Sequence, residues 1–180
     1  MGINTVAVIG AGTMGAGIAQ VCAQAGWKTN LFDAFPEGLK RGMNTIDAFW
    51  DKGITRGKTT PEQRAEWAAN LHAVSDMADA VGDVDLVIEA VPEIPELKHK
   101  IFAELGTMTR DDCILGTNTS SLSIADIAAA SGKPDKVIGM HFFNPVPIMK
   151  LLELVKHDSC SDETIAAAEA AGKAMGKTTI

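Results

Sequence analysis

Two side chains suited to proton transfer, those of His141 and Glu153, lie twelve positions apart on either side of a proline-containing turn. The runs that carry them, 137–141 and 149–155, are largely apolar, which predicts two strands. If these strands are antiparallel or neighbouring, the carboxylate can contact one imidazole nitrogen, fix the tautomer and raise the basicity of the other nitrogen. The pattern therefore indicates a general base able to take a proton from an alcohol. A purely structural histidine is the alternative that the residues alone leave open.

A polar stretch, Asn118 to Ser121, follows another predicted strand, Cys113 to Thr117. Ligands of open α/β sheets bind at the carboxyl ends of strands, so the hydroxyl of Ser120 is placed to hydrogen-bond a substrate oxygen. The same stretch also fits a serine/threonine turn that caps the next helix. Both interpretations remain open from the residues alone.

The chain opens with a strand and a glycine-rich turn that suit a dinucleotide. Thr5 to Ile9 predicts a buried parallel strand, and Gly10, Gly12 and Gly15 complete a Gly-x-Gly-x-x-Gly motif directly after it. The first glycine permits a tight turn, the second lets a pyrophosphate approach the backbone, and the third lets the following helix pack against the strand. That helix begins near Met14, and its free N–H groups and positive dipole end favour a phosphate.

Asp33 ends a second predicted strand, Lys28 to Phe32, and lies 18 positions after Gly15. This spacing is close to that of the acid that binds the adenosine ribose in dinucleotide-binding units. A carboxylate there accepts hydrogen bonds from the ribose hydroxyls and repels a 2′-phosphate, so NAD is favoured over NADP. An ordinary βαβ unit with a glycine turn and a surface aspartate is the alternative.

Two segments after the second strand predict a helical hairpin at about residues 36–69. The first segment has one apolar face, formed by Leu39, Met43, Ile46 and Trp50. Gly53 is expected to end that helix, and the capping box Thr60 to Gln63 is expected to start the next one. A plain doubly wound fold does not need this hairpin, so it either serves a substrate or is a packing appendage.

The alternation of strands and helices predicts one α/β domain over residues 1–180, a Rossmann-type, doubly wound, mostly parallel sheet with the hairpin inserted after the second strand. A net charge of −7 argues against nucleic acid and anionic membranes as partners. Three scattered cysteines fit neither a disulfide framework nor a metal site. With no secretory leader and no membrane-spanning apolar run, the chain is expected to be cytoplasmic.

Three motifs together resemble the L-3-hydroxyacyl-CoA dehydrogenase family. They are Gly10 to Gly15, Asn118 to Ser121 and, above all, the run His141-Phe142-Phe143-Asn144-Pro145-Val146-Pro147 followed by Met149-Lys150-Leu151. The resemblance covers essentially the whole chain, and the histidine-containing run is much more specific than the glycine motif. It implies reversible, NAD-dependent oxidation of an L-3-hydroxyacyl-CoA, such as 3-hydroxybutyryl-CoA, to the 3-oxoacyl-CoA.

The resemblance also implies roles for individual residues. His141 would be the catalytic base, Glu153 its partner carboxylate, and Ser120 the group that hydrogen-bonds the 3-oxygen close to the nicotinamide. The residues implied to contact NAD are Gly10, Gly12, Thr13, Met14, Gly15, Asp33, Glu93, Lys98, Ser120 and Asn144. Ser120 and Asn144 would shape the substrate site, and Lys52 in the hairpin is the candidate contact for coenzyme A.

The family carries a second, all-helical domain after this point, to which nothing in these 180 residues corresponds. In the family that domain supplies one wall of the acyl cleft and most of a homodimer interface. The chain by itself is therefore expected to bind NADH but to turn over substrate poorly. Two other interpretations stay open: a dehydrogenase of a small hydroxy acid without coenzyme A, and a non-catalytic NAD-binding module that makes no use of His141.

Overall fold

Strands and helices alternate along the computed structural model, which describes residues 2–180. The strands are β1 (Thr5–Ile9), β2 (Lys28–Phe32), β3 (Leu71–Val74), β4 (Leu86–Glu89), β5 (Ile114–Thr117), β6 (Val137–Phe142), β7 (Leu151–Val155) and β8 (Thr178–Thr179). The helices are α1 (Thr13–Gln24), α2 (Pro36–Thr55), α3 (Pro61–Asn70), α4 (Met77–Val81), α5 (Pro95–Met108), α6 (Ile124–Ser131) and α7 (Asp162–Ala174), with a 3₁₀ turn at Pro134–Lys136. None of the helices in residues 2–180 is long and apolar enough to cross a membrane.

All eight strands form one sheet in the order β3-β2-β1-β4-β5-β6-β7-β8. The first six strands of the chain are parallel, β7 is antiparallel to β6, and β8 is parallel to β7. The prediction of a doubly wound, mostly parallel sheet is confirmed. The direction of winding reverses between β1 and β4, and such a reversal opens a crevice at the carboxyl ends of the strands.

Alternate residues of β1 enter two cores on opposite faces of the sheet. Val6 and Val8 pack with apolar residues of α1, α2 and α7, whereas Ala7 and Ile9 pack with those of α4, α5 and α6. Because both faces are covered, the central strands have near-continuous apolar sequences. Polar side chains are therefore collected at the ends of the strands, where the crevice lies.

The hairpin of α2 and α3 forms with its predicted apolar face turned inward, and Trp50 is 1% exposed. The capping box is present, since Thr60 Oγ1 accepts from Gln63 N–H at 3.1 Å and Gln63 Oε1 accepts from Thr60 N–H at 3.0 Å. The prediction that Gly53 ends α2 is wrong, because the helix continues to Thr55. A Cβ at Gly53 would lie 2.6 Å from Thr59 Oγ1, so this glycine allows the returning chain to pack closely.

Candidate active site

A cavity of about 970 Å³ opens at the carboxyl ends of β1, β2, β4, β5 and β6. Its volume is near the upper end of the range for small-molecule and cofactor sites. The predicted site residues that line it are Gly10, Gly12, Thr13, Met14, Asp33, Glu93, Ser120, His141 and Asn144. Residues 2–180 contain no cluster of three or more histidine, cysteine or acidic residues arranged to hold a metal ion.

The glycine loop at the β1 end of the cavity is shaped by main-chain packing. Gly10 has a φ of +103°, and a Cβ there would lie 2.7 Å from the carbonyl oxygen of Ala90. A Cβ at Gly15 would overlap the carbonyl oxygen of Gly10, whereas a Cβ at Gly12 would meet no heavy atom within 4 Å. The first turn of α1 carries no acidic residue and no capping side chain. The loop therefore leaves an open, N–H-rich cradle that fits a pyrophosphate.

The carboxylate of Asp33 joins the end of β2 to the glycine loop. Its Oδ2 accepts from Ala11 N–H at 2.8 Å, and its Oδ1 accepts from Phe35 N–H at 2.8 Å. Each carboxylate oxygen has a further lone pair, so these bonds leave capacity for hydroxyl groups of a ligand. The structure thus gives Asp33 a turn-fixing role, which its spacing did not reveal, together with its place on the cavity wall.

His141 and Glu153 are directly opposite each other in the antiparallel β6–β7 pair. Their side chains meet, with 3.3 Å between Nδ1 of the imidazole and Oε1 of the carboxylate. The imidazole lines the cavity and stacks at an angle on Phe143, with ring centroids 4.5 Å apart, while the carboxylate lies behind it. Since the contact uses Nδ1, Nε2 is the nitrogen available to a substrate. The arrangement can move a proton between the cavity and the histidine.

Ser120 is exposed at the cavity wall in the loop that follows β5. The turn-forming role belongs to its neighbour, because Thr119 Oγ1 accepts from Leu122 N–H at 3.1 Å. Helix α6 has its own cap, since Ser123 Oγ accepts from Asp126 N–H at 3.2 Å. The hydroxyl of Ser120 therefore neither forms the turn nor caps α6.

Asn144 is exposed on the loop between β6 and β7 and lines the same cavity as Ser120 and His141. This loop packs against α1, since a Cβ at Gly17 would lie 2.9 Å from Val146 Cβ. A close helix-to-loop contact thus joins α1 to the segment that carries Asn144.

Glu93 faces the cavity from the loop after β4 and is partly exposed. Thr119 Oγ1 donates to its Oε2 at 2.7 Å, and Lys98 Nζ lies 3.1 Å from its Oε1. Burial opposes ionisation of this carboxyl, but the hydrogen bonds from Thr119 and Lys98 outweigh it and lower the pKa of Glu93. The side chain therefore presents a negative charge to the cavity at neutral pH.

Four predicted site residues are not on the cavity wall, namely Gly15, Glu153, Lys98 and Lys52. Gly15 packs against Gly10, and Glu153 reaches the cavity through its contact with His141. The side chain of Lys98 is fully buried, and its ammonium binds Glu89 Oε2, Glu93 Oε1 and the carbonyl oxygen of Asn118. Its three hydrogens are all used, so it reaches the cavity only through other residues. Lys52 is exposed in the last turn of α2, and the structure does not bring it to the cavity.

Two further residues that support the site were missed by the sequence analysis. Glu89, the last residue of β4, is fully buried, and Lys177 donates to the carbonyl oxygens of Val146 and Met149 in the β6–β7 loop. Burial, and secondarily the charge of Lys150, lower the pKa of Lys177. An acidic residue inside the apolar run 86–91 was the available signal for Glu89, because a charge is buried only with partners. No sequence pattern pointed to Lys177.

Known proteins resemble the chain over nearly its whole length. A family model described as 3-hydroxyacyl-CoA dehydrogenase, NAD binding domain, matches residues 5–180. The 3-hydroxyadipyl-CoA dehydrogenase of Escherichia coli (strain K12) is 44% identical over 163 residues, 91% of this chain and 34% of the relative. The probable 3-hydroxybutyryl-CoA dehydrogenase of Deinococcus radiodurans is 41% identical over 171 residues, 95% of this chain and 61% of the relative.

A solved structure of a 3-hydroxybutyryl-CoA dehydrogenase from Escherichia coli K12 has the same fold. Its TM-score is 0.97 at 41% sequence identity, and the match covers 100% of this chain and 38% of that chain. The present chain thus spans about a third to three fifths of the length of the curated relatives described above.

Proposed function

This chain belongs to the 3-hydroxyacyl-CoA dehydrogenase family as its NAD-binding domain, and from that premise we propose that it provides the cofactor site and the His141–Glu153 pair for oxidation of an L-3-hydroxyacyl-CoA. The product is the 3-oxoacyl-CoA, and the reaction is reversible. The observation that carries the proposal is the 3.3 Å contact between His141 Nδ1 and Glu153 Oε1 on the wall of a cavity that also contains the glycine loop.

NAD is the cofactor, and when bound it supplies a hydride acceptor. We assign its pyrophosphate to the cradle at Gly12 and the N terminus of α1, because a Cβ at Gly12 would meet no heavy atom within 4 Å and the first turn of α1 has no acidic or capping side chain. We assign the adenosine ribose to Asp33, whose negative charge also disfavours a 2′-phosphate. Thr13 and Met14 in the first turn of α1, and Glu93 and Asn144 on the opposite wall, complete the proposed contacts.

The chain's own residues handle the proton. In the oxidative direction, Nε2 of His141 accepts the proton of the 3-hydroxyl group as the carbonyl forms. The resulting imidazolium is stabilised by Glu153 through Nδ1–H, which also fixes the ring. Ser120 hydrogen-bonds the substrate oxygen and holds it in line with Nε2. In the reducing direction, protonated His141 returns the proton to the oxygen.

An acyl-CoA is the proposed substrate class, because relatives that share 41–44% identity are named for 3-hydroxyadipyl-CoA and 3-hydroxybutyryl-CoA. We propose that Lys52 on the hairpin contacts the coenzyme A portion, since its ammonium is exposed to solvent. The relatives are longer than this chain, and a further helical domain is proposed to complete the acyl cleft and a homodimer interface. The three free cysteines, Cys22, Cys113 and Cys160, support a reducing compartment, so the proposed location is the cytoplasm.

The direct test compares two proteins: the 180-residue chain, and the same chain fused to the remaining C-terminal segment of the Deinococcus radiodurans relative. Binding of NADH is measured by fluorescence titration, and turnover by oxidation of NADH with acetoacetyl-CoA. We expect both proteins to bind NADH and only the fusion to turn over efficiently, because an incomplete cleft does not position the substrate. Robust turnover by the chain alone would refute the need for a second domain.

The alternatives give different results in the same assay. A fusion that binds NADH but does not reduce acetoacetyl-CoA would favour a non-catalytic NAD-binding module. Equal activity on small hydroxy acids without coenzyme A would favour the other dehydrogenase class.

The Lys52→Ala variant of the fusion is expected to raise the KM for acetoacetyl-CoA about two- to fivefold, the effect of one exposed ion pair. Lys58→Ala, an equally exposed lysine of the hairpin turn, is the matched control. If both variants retain the parent KM, Lys52 does not contact coenzyme A.

A further inference from the structure

We propose that Glu89 is a positioning residue that acts through Lys98 to hold the cavity wall formed by the loops after β4, β5 and β6. The residues on these loops that line the cavity include Glu93, Asn118, Ser120 and Asn144, and His141 lines it from the end of β6. The inference rests on the proposed function, because the wall it concerns is the one that faces the reacting end of bound NAD.

The carboxylate of Glu89 is fully buried and is bound by three donors. Oε1 accepts from Thr117 Oγ1 at 2.7 Å on the neighbouring strand β5. Oε2 accepts from Val91 N–H at 2.7 Å and from Lys98 Nζ at 2.8 Å. The bond to Val91 turns the main chain at the end of β4, so the carboxylate fixes the start of the loop that carries Glu93.

Lys98 carries this restraint onward. Besides Glu89, its ammonium binds Glu93 Oε1 at 3.1 Å and the carbonyl oxygen of Asn118 at 3.1 Å. These two partners belong to the loops after β4 and β5, and both line the cavity. A single buried cation therefore joins the two loops from behind the wall.

The restraint extends to the histidine. Oδ1 of Asn118 accepts from Phe142 N–H at 2.9 Å, and Phe142 directly follows His141 in β6. Thr119, the next residue after Asn118, donates to Glu93 Oε2 at 2.7 Å. This bond links the segments after β5 and β4 a second time. The ends of β4, β5 and β6 are thus joined by a hydrogen-bond network that starts at the buried carboxylate of Glu89.

Stability alone gives little reason for a charge at position 89. The other residues of β4, Leu86, Val87 and Ile88, are apolar and buried. A buried ion pair is a weak source of stability, because the cost of removing two charges from water offsets their attraction, and apolar replacement of both partners is often neutral. The Glu89–Lys98 ion pair is better explained by the polar atoms that it binds in the loops after β4 and β5.

No side chain of this network is hydrogen-bonded to the glycine loop at the opposite end of the cavity, although Gly10 packs against Ala90 in the turn after β4. There the glycine loop is held by the bonds of Asp33 to Ala11 and Phe35. Loss of the network should therefore weaken binding of NADH, which extends along the whole cavity. It should spare binding of ADP, which occupies only the glycine-loop end. A generally distorted domain would bind both ligands poorly, so the two probes distinguish positioning from folding.

The experiment uses the double variant Glu89→Leu/Lys98→Met, which replaces both charges together with apolar groups of similar size. Dissociation constants for NADH and ADP are measured by calorimetry, and the melting temperature by circular dichroism. We expect the Kd for NADH to rise about tenfold, as for the loss of a buried hydrogen-bond partner. The Kd for ADP should stay close to that of the wild type, while the melting temperature should fall modestly because Val91 N–H and Thr117 Oγ1 lose their acceptor.

Lys133→Met is the control, because this lysine is also largely buried and binds main-chain carbonyl oxygens, those of Thr109 and Arg110, and it does not line the cavity. It should leave both dissociation constants unchanged. Unchanged NADH binding in the double variant, or equal losses for NADH and ADP, would overturn the inference.

If the double variant does not fold, Thr117→Val gives the same test with a smaller change, because it removes one donor to Glu89 Oε1 and keeps the shape. It should raise the Kd for NADH about threefold and spare ADP, and unchanged NADH binding would again overturn the inference. The proposed function fails separately, if the wild-type chain does not bind NADH at all.

Discussion

The two ends of the cavity are built in different ways. At the β1–β2 end, Gly10, Gly12 and Asp33 line the wall within 24 consecutive residues, and Gly15 packs directly beneath Gly10. At the β4–β6 end, side chains from Glu89 to Glu153 are brought together by strand order, register and a buried network. Local backbone geometry thus defines a phosphate cradle, whereas tertiary structure defines the place where a proton can move.

This difference predicts how each end responds to substitution. A change at the glycine end should act on cofactor binding, because the backbone of the glycine loop is the proposed binding surface. A change of the reacting side chain at the other end should act on turnover and leave binding of the cofactor largely intact. The four predictions below test this division, beginning with the largest expected effect.

His141→Gln is expected to lower turnover of acetoacetyl-CoA by the fused protein about 10³-fold, because the proton acceptor is lost while the size of the side chain is kept. The Kd for NADH should stay within about twofold of the wild type, since a loss of less than half a kcal/mol is expected. Fluorescence titration and steady-state kinetics check the two values. A large loss of NADH binding would instead make His141 a structural residue and end the proposed division.

Gly15→Ala is expected to raise the Kd for NADH on the order of 100-fold, and to lower the melting temperature, because its Cβ would overlap the Gly10 carbonyl and force the loop to move. Gly12→Ala is the matched comparison. Its Cβ would enter the open cradle, so NADH binding should fall while the melting temperature is retained. Equal melting temperatures for the two variants would contradict the packing described for Gly15.

Asp33→Ala is expected to weaken NADH binding about tenfold and to reduce discrimination against NADPH, because both a ribose acceptor and the repulsion of a phosphate are lost. Part of the loss should come from the released N–H groups of Ala11 and Phe35. Parallel titrations with NADH and NADPH measure the effect. Unchanged selectivity between the two cofactors would refute the assignment of the ribose to Asp33.

Glu93→Gln is expected to have the smallest effect, a change in how stability depends on pH. Hydrogen bonds from Thr119 and Lys98 outweigh burial and lower the pKa of Glu93 in the folded protein. Its ionised form therefore stabilises the fold above about pH 4.3, the ordinary value for glutamate, and this contribution is lost as the pH falls through the lowered pKa. Urea unfolding between neutral and acidic pH should show the wild-type advantage shrinking in acid. An advantage that grows in acid would contradict the direction of the shift.

The sequence predicted most of the fold because each element carries a local signal. The glycine motif, the Thr60–Gln63 capping box and the apolar faces each depend on neighbours in the chain, and all of them form as predicted. The predicted end of α2 at Gly53 is wrong because a glycine after an apolar helix face is typical of a helix C terminus, whereas α2 continues to Thr55. The actual reason for this glycine, close packing against Thr59, is a contact that local sequence patterns do not reveal.

Part of the candidate site could be predicted because the sequence spacing of two residues determined how they pair across neighbouring strands. His141 and Glu153 flank a turn, and an antiparallel pair places them opposite each other. Lys98 could be picked out by resemblance, but its burial and its three acceptors depend on how α5 packs on β4 and β5. Glu89 is bonded by Thr117, 28 positions away, and Lys177 bonds the carbonyl of Val146, 31 positions away, so only the folded arrangement shows what these residues hold.

The contact between Gly17 and Val146 has a consequence for redesign of this domain. Helix α1 reaches the β6–β7 loop there without any intervening side chain, and even one added methyl group would have to displace the loop. Mutations introduced in α1 to alter nucleotide binding should therefore also be checked for a displaced β6–β7 loop, because the helix and the loop share this point of contact.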